Sequence, residues 1–143
     1  MARYTDAYID RLLAINEFDT LVELQRILWS SPKRDAYDLQ YGFPDAVFTF
    51  IESLGWFSQA IRSGTWTYFE ATPNERQKAM YAQLRRFAPA ELADQYRCGI
   101  EHWHDQAKMA DVDRWISDNE STCNDWLFGL VLQNRDELRP LYA

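Results

Sequence analysis

Apolar residues recur every three or four positions along most of the chain, which is the spacing of one buried face of an α-helix. A short stripe of this kind, Val112, Trp115 and Ile116, follows Asp111. The longer stripes lie at about residues 8–13, 21–28, 43–61, 80–87, 92–103 and 121–134. Together they predict an all-α fold, a compact single-domain bundle of about seven or eight short helices over residues 1–143.

Local signals predict where several of these helices begin. Thr20-Leu21-Val22-Glu23 and Thr72-Pro73-Asn74-Glu75 have the threonine-to-glutamate spacing of a capping box, and Pro73 suits a first helical position. Asp111 is expected to cap the helix that carries the short stripe. Gly55 is either a break in the preceding helix or a point of close packing.

The segment Thr65–Phe69 alternates polar and aromatic residues and is β-prone. A single such run has no second strand to pair with, so we expect an extended connection. The surrounding residues 56–69 hold more aromatic side chains than one helix face can bury. Either these side chains line the core or some of them form an exposed contact patch, and the core is the favoured location. The aromatic residues concerned are Trp56, Phe57, Trp66, Tyr68 and Phe69.

The two cysteines, Cys98 and Cys123, do not form a C-x-x-C pair, and a chain of 143 residues needs no disulfide to fold. A reducing compartment is therefore expected. The N-terminal segment Met1–Asp6 lacks the apolar core of a secretion signal. Apolar runs of only a few residues are far shorter than the roughly 20 needed to cross a bilayer. We expect a cytoplasmic protein without membrane association.

The formal charge of −7, from 22 acidic and 15 basic side chains, disfavours direct binding of nucleic acid. It indicates either a basic protein partner or simply solubility. Residues 101–125 alone have a net charge of −5 and also contain Trp103, Trp115 and Trp126. The alternative is that the acids cap and solvate short helices while the tryptophans lie in the core. The expected partner-binding residues are Glu101, Asp105, Asp111, Asp113, Asp118, Glu120 and Asp125.

One cluster has residue types that could ligate a metal or act as a thiol centre. It consists of Cys98, Glu101, His102, His104 and Asp105. No second pair of ligands follows at the spacing of a zinc motif, and no oxyanion donor is marked. Glycine is scarce, and no phosphate-cradling loop is present. We therefore expect a protein that is not an enzyme and has no cofactor, catalytic residue or metal site.

The order of features over about residues 44–133 resembles a bacterial all-helical family, largely of unknown function, that includes a DNA-mimic protein. The likeness lies in the helix at 46–52, the Gly55-Trp56-Phe57-Ser58-Gln59 step, and the helix pair from Ala79 to Gly99. The family has Asn-Gly-Gly before the aromatic residue, whereas this chain has Ser53-Leu54-Gly55. The resemblance implies an all-α domain, often dimeric, whose acidic surface imitates DNA and occupies a DNA-binding protein. No functional residue is carried over from the family.

The sequence thus predicts a non-enzymatic, acidic inhibitor or regulator that binds a basic protein, with a DNA mimic as one form of it. One alternative is an immunity or antitoxin protein that blocks a cognate toxin. A second alternative is a metal- or thiol-dependent enzyme built on Cys98.

Overall fold

The computed structural model describes residues 3–143. These residues form nine α-helices and no strand. The all-α prediction is confirmed. Met1 and Ala2, the first residues of the N-terminal segment considered above, lie outside the described part. The helices are α1 (Asp6–Leu13), α2 (Phe18–Trp29), α3 (Asp45–Arg62), α4 (Thr65–Ala71), α5 (Asn74–Phe87), α6 (Ala90–His102), α7 (Gln106–Asp118), α8 (Glu120–Gln133) and α9 (Arg135–Tyr142).

Backbone contacts divide the chain into two compact units. The first contains the described residues up to Leu54 together with Asn124–Ala143, and the second is Gly55–Cys123. The assignment of residues 1–143 to one domain stays a prediction. Within residues 3–143, no helix has the length and apolar content needed to cross a membrane.

In the first unit, α2 packs against α1 and α9 through its buried face. Thr5 caps α1, because its hydroxyl accepts a hydrogen bond from the Tyr8 amide. The two terminal helices are joined by polar contacts. The Tyr142 hydroxyl donates to the Asp6 carboxylate at 2.6 Å, and Arg139 forms an ion pair with the same carboxylate. These contacts hold the last helix against the first.

In the second unit, α5 packs on α6, α6 on α7, and α4 on both α6 and α7. The centre of the unit is aromatic, since Trp56, Tyr68, Phe69 and Tyr96 contact one another edge-on or at a tilt. The hydroxyls of Tyr68 and Tyr96 share a hydrogen bond of 2.8 Å. Gly99 of α6 lies directly against the Phe69 ring, which leaves no room for a side chain at that position.

The prediction of an extended connection at Thr65–Phe69 is wrong, because these residues form most of α4. Gly64 turns the chain with a φ of 99°, a conformation suited to glycine. The backbone N–H of Thr65 then donates to the Asp113 carboxylate at 2.8 Å. Thr65, Tyr68 and Phe69 are all buried, which is the spacing of a helix face. A tertiary cap and an aromatic core thus override the local β propensity.

Neither predicted capping box forms, because the N-caps are Glu17 for α2 and Pro73 for α5, so the predicted start of α5 was off by one residue. Helix α2 begins at Phe18, and Thr20 donates to the carbonyls of Ile15 and Glu17. Thr72 ends α4 by donating to the Tyr68 carbonyl. Each threonine therefore lies one or more residues away from the N-cap position, at which a capping box needs it.

Helix α3 continues through Gly55, which excludes the break and leaves close packing as the remaining alternative for that glycine. Two further expectations differ from the structure. Asp111 lies inside α7, whose N-cap is Asp105. A ninth helix follows residue 134, where the sequence pattern gave no apolar stripe longer than Leu138 and Leu141. The predicted count of seven or eight helices was therefore slightly low.

Candidate functional site

The seven acids expected to bind a partner are distributed over both units. Asp125 lies on α8 in the first unit. The other six lie in the second unit, at the end of α6, along α7 and at the start of α8. All seven are exposed except Asp113, which is half-buried. The six acids of the second unit are Glu101, Asp105, Asp111, Asp113, Asp118 and Glu120.

Two of these acids cap helices, as the alternative explanation required. The Asp105 carboxylate accepts from the Lys108 amide at the start of α7. Asp113 lies on α7, and its carboxylate caps α4 by accepting from the Thr65 N–H. Both contacts satisfy amides that a helix leaves free at its N-terminus.

Glu101 and Asp118 have no such use, because they lie in the last turns of α6 and α7. A negative charge there faces the negative end of the helix dipole and disfavours the helix. Both carboxylates are exposed. Helix stability therefore does not account for these two acids.

Helix α7 presents its acids on two sides. Asp111 and Asp118 are seven residues apart, nearly two full turns, and share one face. Asp113 is about 200° away from Asp111 around the helix axis. Asp111 also forms an ion pair with Arg114 at 2.9 Å. The structure thus separates Asp111 and Asp118 from Asp113 and does not gather all seven acids into one patch.

The first concave surface of the second unit is a groove of about 390 Å³ between α6 and α7. Burial raises the pKa of the half-buried Cys98 thiol there, and the nearby Lys108 ammonium opposes this rise only in part. His102 Nε2 lies 3.4 Å from Lys108 Nζ and 3.7 Å from the Glu101 carboxylate. The groove holds acids and bases in similar number, so its charges largely compensate. Its lining is Asp94, Gln95, Arg97, Cys98, Glu101, His102, Lys108, Asp111 and Val112.

The predicted cluster around Cys98 is only partly assembled. Cys98, Glu101 and His102 line the groove, whereas His104 lines a different cavity. Among the described residues, no three His, Cys, Asp or Glu side chains come together as a metal site would require. The raised thiol pKa keeps the sulfur protonated, and a protonated thiol is a poor nucleophile.

The second concave surface is a pocket of about 430 Å³ between α4 and the start of α7, which we call the Trp66 pocket. Trp66 is 43% exposed, whereas Trp56 is fully buried. Trp103 and His104 also line the pocket, and their ring centroids are 3.5 Å apart. Glu70 and Asp113 supply two carboxylates, and no lysine or arginine is among the lining residues. These residues are Trp66, Glu70, Trp103, His104, Gln106, Met109, Ala110 and Asp113.

The Trp66 pocket is built by the contact that begins α4. Thr65 is held from two sides: its N–H donates to Asp113 Oδ1, and its hydroxyl accepts from the Trp56 indole N–H at 2.7 Å. Trp66 and Glu70 then follow at a spacing of four residues, which places them on one face of α4. A Cβ atom at Gly64 would lie 3.1 Å from Trp66 Cδ1 and 3.5 Å from Asp113 Oδ2. The Trp66 indole and Asp113 Oδ2 therefore both lie close to Gly64.

Burial raises the pKa of Asp113, and the hydrogen bond from Thr65 opposes that rise. A raised carboxyl pKa means that the charged form is poorly solvated in its present surroundings. A cation placed in the pocket would stabilise that charged form.

Sequence reasoning identified part of this pocket. Asp113 and Trp103 were in the predicted acidic segment, but Glu70 was not. Four of the five aromatics in residues 56–69 are buried, as favoured, and Trp66 is the exception. The i, i+4 spacing of Trp66 and Glu70 could have revealed the shared face, but only if the segment had been assigned as helix.

Comparison of the chain with family models, with curated proteins and with solved structures gave no match. The fold and the site thus define an all-α protein with an acidic, aromatic-lined pocket. The resemblance to the helical family with a DNA mimic stays a prediction.

Proposed function

We propose that this chain is a non-enzymatic binding protein whose acidic surface recognises a basic protein and inhibits or regulates it. The observation that carries the proposal is the Trp66 pocket, where two carboxylates and two indoles meet without a lysine or arginine. Such a pocket suits a cationic side chain, since aromatic faces and carboxylates both attract positive charge. The exposed acids of α6 to α8 add a long-range attraction to the same kind of partner.

The positions of Glu101 and Asp118 support this role. Charges that oppose a helix dipole cost some stability, and features that break a local rule often belong to functional surfaces. We therefore assign these two acids to partner attraction rather than to helix capping. Asp105 and Asp113, by contrast, have structural roles in addition to their charge.

A DNA-binding protein is our first choice of partner, in line with the resemblance to a family that includes a DNA mimic. A toxin is the second choice, which would make the chain an immunity protein. The exposed side chains Trp66 and Ile61 favour this second choice, because they are 43% and 63% exposed and could enter a partner's cleft. We propose a cytoplasmic location for both, because both cysteines are free thiols.

The experiment is affinity capture from a lysate of the producing cells at low and high salt, followed by reconstitution with the purified partner. We expect a basic partner that is released as salt is added, since exposed charge pairs are screened. The identity of that partner, a DNA-binding protein or a toxin, decides between the two choices. A reconstituted complex whose affinity does not change with salt would exclude the proposal.

A matched pair of variants tests the acids themselves. The double variant Glu101→Gln, Asp118→Asn removes two exposed charges from helix C-termini. The control Glu75→Gln, Glu91→Gln removes two exposed charges from the first turns of α5 and α6. We expect the first variant to weaken the reconstituted complex clearly more than the control. Equal weakening would mean that only total charge matters and would contradict the assignment.

A further inference from the structure

The Trp66 pocket differs from the Cys98 groove in charge and in shape. The groove contains Arg97 and Lys108 beside its acids, whereas the pocket contains only Glu70 and Asp113 as carboxylates, with His104 as the remaining ionisable group. The pocket is also lined by the indoles of Trp66 and Trp103. Its volume of about 430 Å³ lies near the small end of the range for ligand sites, which is roughly 300–1,000 Å³. It therefore suits one side chain or a small cation.

We propose that the Trp66 pocket receives a single arginine side chain of the basic partner. This inference rests on the proposed function and specifies the group that the pocket recognises. A guanidinium is planar, stacks on an indole face and donates several hydrogen bonds in a fixed fork. A lysine ammonium has the same charge but cannot stack in this way. The pocket combines the two surfaces that a guanidinium uses together.

The available acceptor atoms agree with this occupant. Asp113 Oδ1 is already used by the Thr65 N–H, while Oδ2 lies on the side of Gly64, next to the edge of Trp66. Glu70 lies one helical turn beyond Trp66 on the same face of α4. A guanidinium lying on the Trp66 ring thus has two carboxylates, Asp113 and Glu70, in the lining of the same pocket to accept its N–H groups.

A side chain at residue 64 would crowd the edge of the Trp66 indole. A Cβ there would lie 3.1 Å from Trp66 Cδ1 and 3.2 Å from Nε1, which is tighter than ordinary contact. The φ of 99° already requires glycine for conformational reasons. The same residue therefore permits the turn and lets the Trp66 indole keep its position beside it.

The test uses the full chain and two synthetic peptides of equal length and charge, one with arginines spaced by glycines and one with lysines in their place. Binding is measured by calorimetry at low and at raised salt. We expect the arginine peptide to bind more tightly by about 3- to 10-fold, because only the guanidinium adds stacking on the indole and a fixed fork of donors to the charge that both side chains have. Trp66→Ala and Glu70→Gln should each remove most of this difference.

Glu91→Gln is the matched control for Glu70→Gln, because it also removes one exposed glutamate charge from the second unit, but at a position that does not line the pocket. It should retain the preference for arginine. Trp66→Phe should retain part of it, since phenylalanine is a weaker cation–π partner. Circular dichroism and thermal unfolding check the fold of each variant. Glu70 is exposed, so its substitution leaves the fold intact.

The outcomes separate the two proposals. Salt-sensitive binding of both peptides without preference would overturn the arginine pocket and leave the acidic binding function in place. Salt-independent binding, or no binding of either peptide, would overturn both proposals. If tetramethylammonium displaces both peptides and arginine is not preferred, the arginine assignment is overturned, and the pocket instead recognises a quaternary ammonium group.

Discussion

The contact between Gly99 and Phe69 allows a quantitative prediction about the second unit. In Gly99→Ala, the new Cβ would lie 2.0 Å from Cε2 and 2.1 Å from Cζ of the Phe69 ring. Carbon atoms in contact normally lie about 3.5–4.0 Å apart, so the ring would have to move by about 1.5 Å. Phe69 is only 2% exposed, and Trp56, Tyr68 and Tyr96 surround it. The ring therefore has no open space to enter.

The free energies can be compared directly. Overpacking a dense core usually costs about 1–3 kcal/mol, and an overlap this deep belongs at the upper end. Alanine in place of glycine inside a helix gains about 1 kcal/mol. The expected net effect is a loss of about 2 kcal/mol in the free energy of unfolding, obtained from these two opposing terms.

Urea unfolding followed by circular dichroism and by tryptophan fluorescence measures this loss. The matched control is Gly129→Ala in α8, where no atom of residues 3–143 outside the immediate helix backbone lies within 4 Å of an added Cβ. That variant should gain about 0.5–1 kcal/mol from helix propensity alone. A Gly99→Ala variant as stable as the wild type would refute the packing argument.

Three further predictions follow from polar contacts and burial. Thr65→Val should reduce the free energy of unfolding by about 1–3 kcal/mol in urea titrations, because the buried Trp56 indole N–H loses its acceptor; an unchanged midpoint would contradict this. Tyr142→Phe should raise the pKa of Asp6 towards its ordinary value, since the Tyr142 hydrogen bond is the main cause that lowers it; a carboxyl NMR titration without a shift would count against it. Burial raises the pKa of the Cys123 thiol from 9.0 to about 11. As the pH rises, the thiol therefore loses its proton in the unfolded state before it does so in the folded state. The free energy of unfolding should fall by up to about 2–3 kcal/mol between those two pH values. Cys123→Ala should remove that part of the pH dependence, and an identical pH profile for the variant would disprove the assignment.

The sequence was sufficient for the fold class because most helices here have a long apolar face. The stripes at 21–28 and 80–87 became buried faces of α2 and α5, with Leu24 and Leu84 fully buried. The pattern reports burial at a spacing of three to four residues, and this is what a packed helix needs. Helices without a long stripe, such as α9, were missed for the same reason.

The start of α4 and the pocket were beyond local reasoning, because distant residues decide them. Thr65 begins α4 with a carboxylate that lies 48 positions further along the chain. Thr72 resembled a cap, but its hydroxyl is used by the helix that precedes it. Trp66 and Asp113 were each visible in the sequence, yet only the packing of α4 on α7 brings them to one cavity. The spacing of residues along the chain contains no information about such tertiary contacts.

The double use of Asp113 has a consequence for the rigidity of the pocket. One oxygen is fixed by the first amide of α4, so the carboxylate cannot turn freely towards or away from an entering ligand. A ligand thus meets an acceptor that is already oriented, and it loses little entropy in ordering that group. By the same linkage, a ligand held there would fasten α4 to α7, and a saturated protein would resist unfolding more than an empty one.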